Sequence, residues 1–281
     1  YQRSIIEYPW DADSAYRLAK VFSRLHQPQL AVSYLKEALQ REPDFPQALN
    51  ELARHRMRDG NLTAAQKHLA AGLKLDPVNA ETLILMADLQ RRQGDIHREI
   101  KYYTDAVNKA KSCHAAMLLA DRLTEMGSHR NAISLYDQVM RSRQSDKRLR
   151  VTAGMLAGIT TARFFGHQAR ENDYLLYIAN EFDEFKFFSL QAKFLNGTLS
   201  EEEFRRQMGG VPDWNIPTEY IIGLRHWLNA DIAAAIRAFE RCLQIDPPKK
   251  SRSRYSPVKW AREDLARIRD ADANRGNPAK N

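Results

Sequence analysis

The sequence predicts an all-α protein: a right-handed α-solenoid of antiparallel helix pairs, ended by a C-terminal capping helix. Three observations carry that expectation. Pro9, Pro43 and Pro77 stand 34 residues apart, a period that belongs to stacked helical repeats. Between these prolines, small and large apolar residues return at fixed offsets. The composition is 43% hydrophobic, with twelve glycines in 281 residues, which excludes a fibrous or disordered chain.

The register is read from the residue at each turn between helices, taking His26, Gly60, Gly94 and Gly127 as successive turns. Seven residues before them stand Ala19, Ala53, Ala87 and Ala120, preceded in turn by Leu18, Leu52, Met86 and Leu119. Five residues after them come Ala31, Ala65, Glu99 and Ala132, and nine after come Leu35, Leu69, Tyr103 and Tyr136. The same register returns around Ala230, with Ile222, Gly223, Ala235, Phe239 and then Pro247. Small residues let paired helices approach closely, and the large ones fill the layer between repeats. Glycine supplies a positive φ at the turn, and proline stops the second helix.

This pattern resembles the tetratricopeptide repeat family. The resemblance covers residues 12–144 and 216–247, with Lys111 and Gln144 where proline is expected. It implies about seven helix pairs and a scaffold that binds other molecules, without naming them.

The elements follow in order. Pro9 already has the phase of a helix-ending proline, so residues 1–11 read as the tail of a preceding repeat. The chain therefore reads as a piece of a longer array. Residues 12–144 hold four repeats. Residues 145–215 are degenerate, with turns at Gly166 and Gly197 spaced 39, 31 and 33 residues from their neighbours. Within it, the thirteen residues 182–194 hold five of the eleven phenylalanines, Phe182, Phe185, Phe187, Phe188 and Phe194. Residues 171–203 also carry eight acids against Lys186 and Lys193. Five exposed phenylalanines are an aggregation hazard, so Phe185 and Phe188 are expected to pack inside. The other reading is a docking or homodimer face. Residues 216–248 form a further repeat. Residues 249–281 contain a basic loop, a capping helix starting at Ser256 and Pro257, and a polar tail.

No catalytic signature emerges. The sequence has no phosphate-cradling glycine loop, CxxC, HExxH or GxSxG, so no enzyme, cofactor or metal is expected. His97-Arg98-Glu99 echoes part of a deaminase zinc motif without its paired cysteines. Cys113 and Cys242 belong to distant repeats, where no disulfide is expected. They suit a reducing compartment, which favours the cytoplasm, with the periplasmic side of a bacterial envelope as the alternative. No apolar run approaches the ~18 residues needed to span a bilayer.

The resemblance places a partner-binding groove along the first helix of each repeat. Fixed offsets before the turns select Lys20, Arg24, Asn50, Arg54, Arg58, Ile84, Arg91, Met117 and Trp227. In order they read basic, then mixed, then apolar, which fits a protein or peptide with acidic and apolar residues. Chaperone-binding family members grip a terminal carboxylate with Lys, Asn and Arg. Here Asn50 precedes Arg54, but Tyr16, Ile84 and Asp88 stand where that clamp needs cations.

Two alternatives stay open. One is a structural arm in a secretion or exopolysaccharide-export assembly, as some bacterial envelope members of the family are. The other is nucleic-acid binding. The net charge is +8, and basic clusters lie at Arg141, Arg143, Lys147, Arg148 and Arg150 and at Lys249, Lys250, Arg252 and Arg254.

Overall fold

The computed structural model describes residues 11–166, 173–209, 215–245 and 256–275. The expected helix tail before Asp11, Pro247, the basic cluster at 249–254 and the final polar tail lie outside these residues. Among the described residues there are fifteen α-helices and no strand. The fold is an α-solenoid of helix-turn-helix pairs. It divides into two compact units, Tyr1–Leu119 and Ala120–Asn281.

The first unit holds α1 (Ala12–Arg24), α2 (Pro28–Arg41), α3 (Pro46–Arg58), α4 (Leu62–Leu75), α5 (Ala80–Gln93) and α6 (Ile96–Asn108). The helix α7 (Cys113–Glu125) crosses the division. Each start has a local cause. Asp11, Asn61, Asn79 and Asp95 accept backbone N–H groups of the first turn, while Pro28 and Pro46 occupy first positions where no donor is lost. Pro43 and Pro77 stand just past the C-caps Glu42 and Asp76 that end α2 and α4.

The turns confirm the register. His26, Gly60, Gly94, Gly127 and Ala230 all adopt positive φ, between 58° and 79°. Ala19, Ala31, Ala53, Ala65 and Ala87 are buried, and Leu35, Leu69 and Tyr103 fill the layers they leave. Glu99 departs from the pattern. It holds the small-residue position of α6 and is nonetheless fully buried.

The second unit contains α8 (His129–Arg141), α9 (Lys147–Phe165), α10 (Asp173–Glu181), α11 (Lys186–Leu195), α12 (Glu201–Met208), α13 (Asn215–Leu228), α14 (Ile232–Gln244) and α15 (Pro257–Arg275). Between Val151 and Arg163, α9 is buried around almost its whole circumference, as its near-continuous apolar sequence requires. Phe182 and Phe194 are buried, and Phe194 stacks on Phe204 with centroids 4.4 Å apart. Phe185, Phe187 and Phe188 pack half-buried against the same core. Phe182 and Phe194 of this stretch thus belong to the core, while Phe185 and Phe188, expected inside, are only half-buried at its edge.

One expectation is corrected here. Distant repeats of a solenoid are expected not to touch, yet α15 reaches back to α9 within this unit. Asp264 is fully buried and takes Arg163, about a hundred residues away in sequence, in a bidentate pair at 3.0–3.2 Å. The hydroxyl of Tyr220 on α13 donates to the same carboxylate at 3.0 Å. Ala261, Leu265 and Ile268 bury the apolar stripe of α15 against this core. The terminal helix therefore caps the unit's end and also ties three elements of it together.

Candidate functional site

In the first unit the first helices of successive pairs lie side by side. The Ser23 hydroxyl of α1 lies 3.0 Å from His55 Nε2 of α3. Arg54 of α3 reaches Glu81 of α5 at 2.5 Å, and Arg92 donates to the Met57 carbonyl at 3.2 Å. The 34-residue period then brings equivalent residues into rows. Lys20, Arg54 and Asp88 form one row, and Arg24, Arg58 and Arg92 form the next.

The structure sorts the expected groove residues into three groups. Lys20, Arg24 and Arg58 are exposed and have no acidic partner among the described residues. Lys20 lies 5.5 Å over the Tyr16 ring. Arg54 and Arg91 are engaged within the fold. Arg54 is shared between Glu51 and Glu81, and Arg91 pairs with Asp88 at 3.3 Å. Their charges are partly neutralised, which sequence offsets cannot show because the acids come from neighbouring turns and the next repeat.

The third group points inward or sits elsewhere. Asn50 is buried and accepts a hydrogen bond from the Thr82 hydroxyl at 3.0 Å, so it locks α3 to α5. Met117 is also fully buried. Both are corrections to their expected place on a ligand-facing wall. Tyr16 and Ile84 share that offset and stay half-buried, whereas Asn50 and Met117 are sealed inside the array, where burying a methionine is favourable. Ile84 is half-buried. Trp227 belongs to the second unit, half-buried beneath the Arg267 guanidinium at 5.1 Å.

His55 is a buried titratable group that the sequence does not single out. Burial, then the Arg58 charge, lowers its pKa from the ordinary 6.5. The folded state therefore takes up the proton less readily than the unfolded chain. Stability from this group is complete above pH 6.5 and is lost as pH falls below that value toward the folded pKa. His68, lowered by burial and then Arg56, adds to the effect. Urea unfolding of the first unit should shift to lower midpoint as the pH is lowered from 7 to 5, and His55→Gln should flatten that slope. An unchanged slope in the variant would show that His55 is not responsible.

The basic clusters are also resolved in part. Arg141 pairs with Asp137 at 2.7 Å, and Lys147 with Glu184 at 3.0 Å. Arg150 donates to the Met140 carbonyl and the Tyr177 hydroxyl. Three of that cluster's five cations thus serve the fold. Cys242 is buried, its thiol pushed up to about 12 by burial and by Glu219, which makes it unreactive.

The second unit carries a cleft of about 680 Å³ lined by Arg130, Ala162, Arg163, Phe164, Phe165, Gly166, Trp227 and Leu228. His129 stacks on Phe164 with centroids 3.4 Å apart. Arg267 lies 4.4 Å over the ring of Phe164 itself, and Arg130 lies 5.2 Å over Phe165. No group of three or more metal-ligating side chains occurs among the described residues. None of their helices is long and apolar enough to cross a membrane.

Helix pairs on a 34-residue register, with side chains displayed on adjoining first helices, define a helical-repeat scaffold. The tetratricopeptide repeat family model matches residues 24–89, and the resemblance to that family is borne out by the fold. A tetratricopeptide repeat protein from Parabacteroides merdae is 14% identical, with a TM-score of 0.50 over 92% of this chain and 98% of the other. PilF of Pseudomonas aeruginosa is 13% identical, with a TM-score of 0.54 over 92% and 97%. The C-terminal part of a TPR repeat-containing protein from Cytophaga hutchinsonii is 13% identical, with a TM-score of 0.51 over 89% and 99%. At such identities these likenesses concern the fold. No curated protein matches the sequence. The tetratricopeptide fold is in general a scaffold for protein interactions, and the family is typically non-catalytic.

Proposed function

We propose that the first unit binds an acidic segment of a partner protein along the face of α1, α3 and α5, and performs no chemistry of its own. One observation carries this reading. Lys20, Arg24 and Arg58 stand exposed on adjoining first helices, with no acidic partner among the described residues. Tyr16, Val21 and Ile84 lie half-buried on the same helices and offer apolar contact beside the charges.

Exposed ion pairs contribute only about 0.2–1 kcal/mol each, so three of them set orientation and association rate more than affinity. Micromolar binding corresponds to about −8 kcal/mol, and most of it would come from apolar burial. The helices already hold these side chains in place, which limits the ordering cost on the receptor side.

The test is charge reversal at Arg24 and Arg58 together, against fifteen-residue peptides that alternate Glu or Asp with Leu and Phe. Binding should fall at least tenfold, with the melting temperature within a few degrees of the unmodified chain. Arg54 is a poor choice for this experiment, because a glutamate there would face Glu51 and Glu81. Full-strength binding by the double variant would place the interaction on another face. A salt dependence of roughly a thousandfold between 50 and 200 mM would indicate nucleic acid instead.

A further inference from the structure

We infer that the cleft of the second unit is a binding site for a planar aromatic ring carrying an anionic group. Its walls are built by residues far apart in sequence, which fold into one arrangement. Phe164 and Phe165 end α9, Trp227 comes from the last turn of α13, and Arg130 from the first turn of α8. All three rings are half-buried at the edge of the cleft.

The volume of about 680 Å³ lies within the range of small-molecule sites. The cations decide the ligand's charge. Arg163 is buried and already occupied by Asp264 and Glu263, and Arg267 is shared with Asp264. Arg130 is exposed, lies over Phe165, and has no acidic partner among the described residues. It is the group positioned to receive an anion, with the ring stacked against Trp227.

The lining also says what is not read. Among the described residues it contains no amide, hydroxyl or carboxylate side chain, so a peptide backbone would find few side-chain hydrogen-bond partners there. Ring stacking and a charge contact need none. Base–aromatic stacking is sequence-tolerant for that reason. His129 supports the platform, since its ring backs Phe164 and its Nδ1 is buried without a hydrogen-bond partner among the described residues. Two ligand sources share this chemistry: a nucleoside monophosphate and an aromatic carboxylate.

Calorimetric titration of the full chain with AMP, UMP and indole-3-acetate separates them. Adenosine and ribose 5-phosphate serve as the ring-only and charge-only arms. At least one ring-bearing anion should bind tenfold more tightly than either arm. AMP and UMP binding alike would identify a nucleotide read by stacking, whereas indole-3-acetate binding alone would identify an aromatic acid. Arg130→Glu and Trp227→Leu should each weaken that binding at least tenfold. Arg130 is exposed, so its variant should melt as the unmodified chain does. The inference is overturned if none of the three binds below millimolar concentration. Adenosine or ribose 5-phosphate binding equally well would overturn it too, as would retained affinity in Arg130→Glu.

Discussion

Asp264→Ala should lower the stability of the second unit by about 3–5 kcal/mol, the cost of removing one partner from a buried ion pair. The carboxylate is fully buried and accepts from Arg163 at 3.0–3.2 Å and from the Tyr220 hydroxyl at 3.0 Å. Arg267 completes its surroundings. Burial opposes the charge on Arg163, but Tyr220, Asp264 and Glu263 outweigh it and hold the guanidinium firmly protonated. Without Asp264 that cation is left with Glu263, at 2.8 Å but nearly half exposed. A carboxylate exposed to that degree is screened by solvent and compensates only part of the loss. Replacing both partners, Arg163→Met with Asp264→Leu, should recover most of the stability, because the desolvation cost disappears with the pair. Denaturant unfolding followed by tryptophan fluorescence measures both. A loss under about 1 kcal/mol for Asp264→Ala would show that the pair is solvated rather than buried.

Gly223→Ala should destabilise the same unit by about 1–3 kcal/mol, through overpacking. Within a helix this substitution ordinarily stabilises by about 0.5–1 kcal/mol, so the sign itself is the test. A Cβ at Gly223 would stand 2.6 Å from two ring carbons of Phe239. Phe239 is fully buried and packed against Tyr220, with centroids 5.7 Å apart, so its ring has nowhere to retreat. Gly94 makes the contrast. Nothing lies within 4 Å of a Cβ there, but its φ is +79°. Gly94→Ala should therefore cost about 1 kcal/mol from backbone strain alone. A neutral or stabilising Gly223→Ala would show that the Phe239 layer is looser than its burial indicates.

The candidate face was legible in the sequence as a row of cations and illegible as a charge balance. Lys20, Arg24 and Arg58 are exposed. The offsets did not reveal that Arg54 bridges to Glu81, because Glu81 stands at the start of the following repeat. They also put Asn50 and Met117 on the ligand side. A polar residue at a regular offset looks the same whether it faces water or locks two helices, as Asn50 does with Thr82. The cleft had no sequence signal, since its rings and its guanidinium come from α8, α9 and α13.

The sequence by itself determined the helices, their turns and their pairing. Those depend on contacts within about forty residues: Ala19, Ala53 and Ala87 for close approach, His26, Gly60 and Ala230 for the positive φ, Pro43 and Pro77 for the helix ends. Local interactions repeat wherever the residues repeat, so a period of 34 is enough to read them. Only the tertiary structure decided the rest: the return of α15 onto α9 through Arg163 and Asp264, the burial of Glu99 in an alanine's place, and the assembly of Arg130, Phe164 and Trp227 into one cleft. The physical reason is range. Partners a hundred residues apart in sequence leave no periodic trace, and their pairing appears only once the chain has brought them within hydrogen-bond distance.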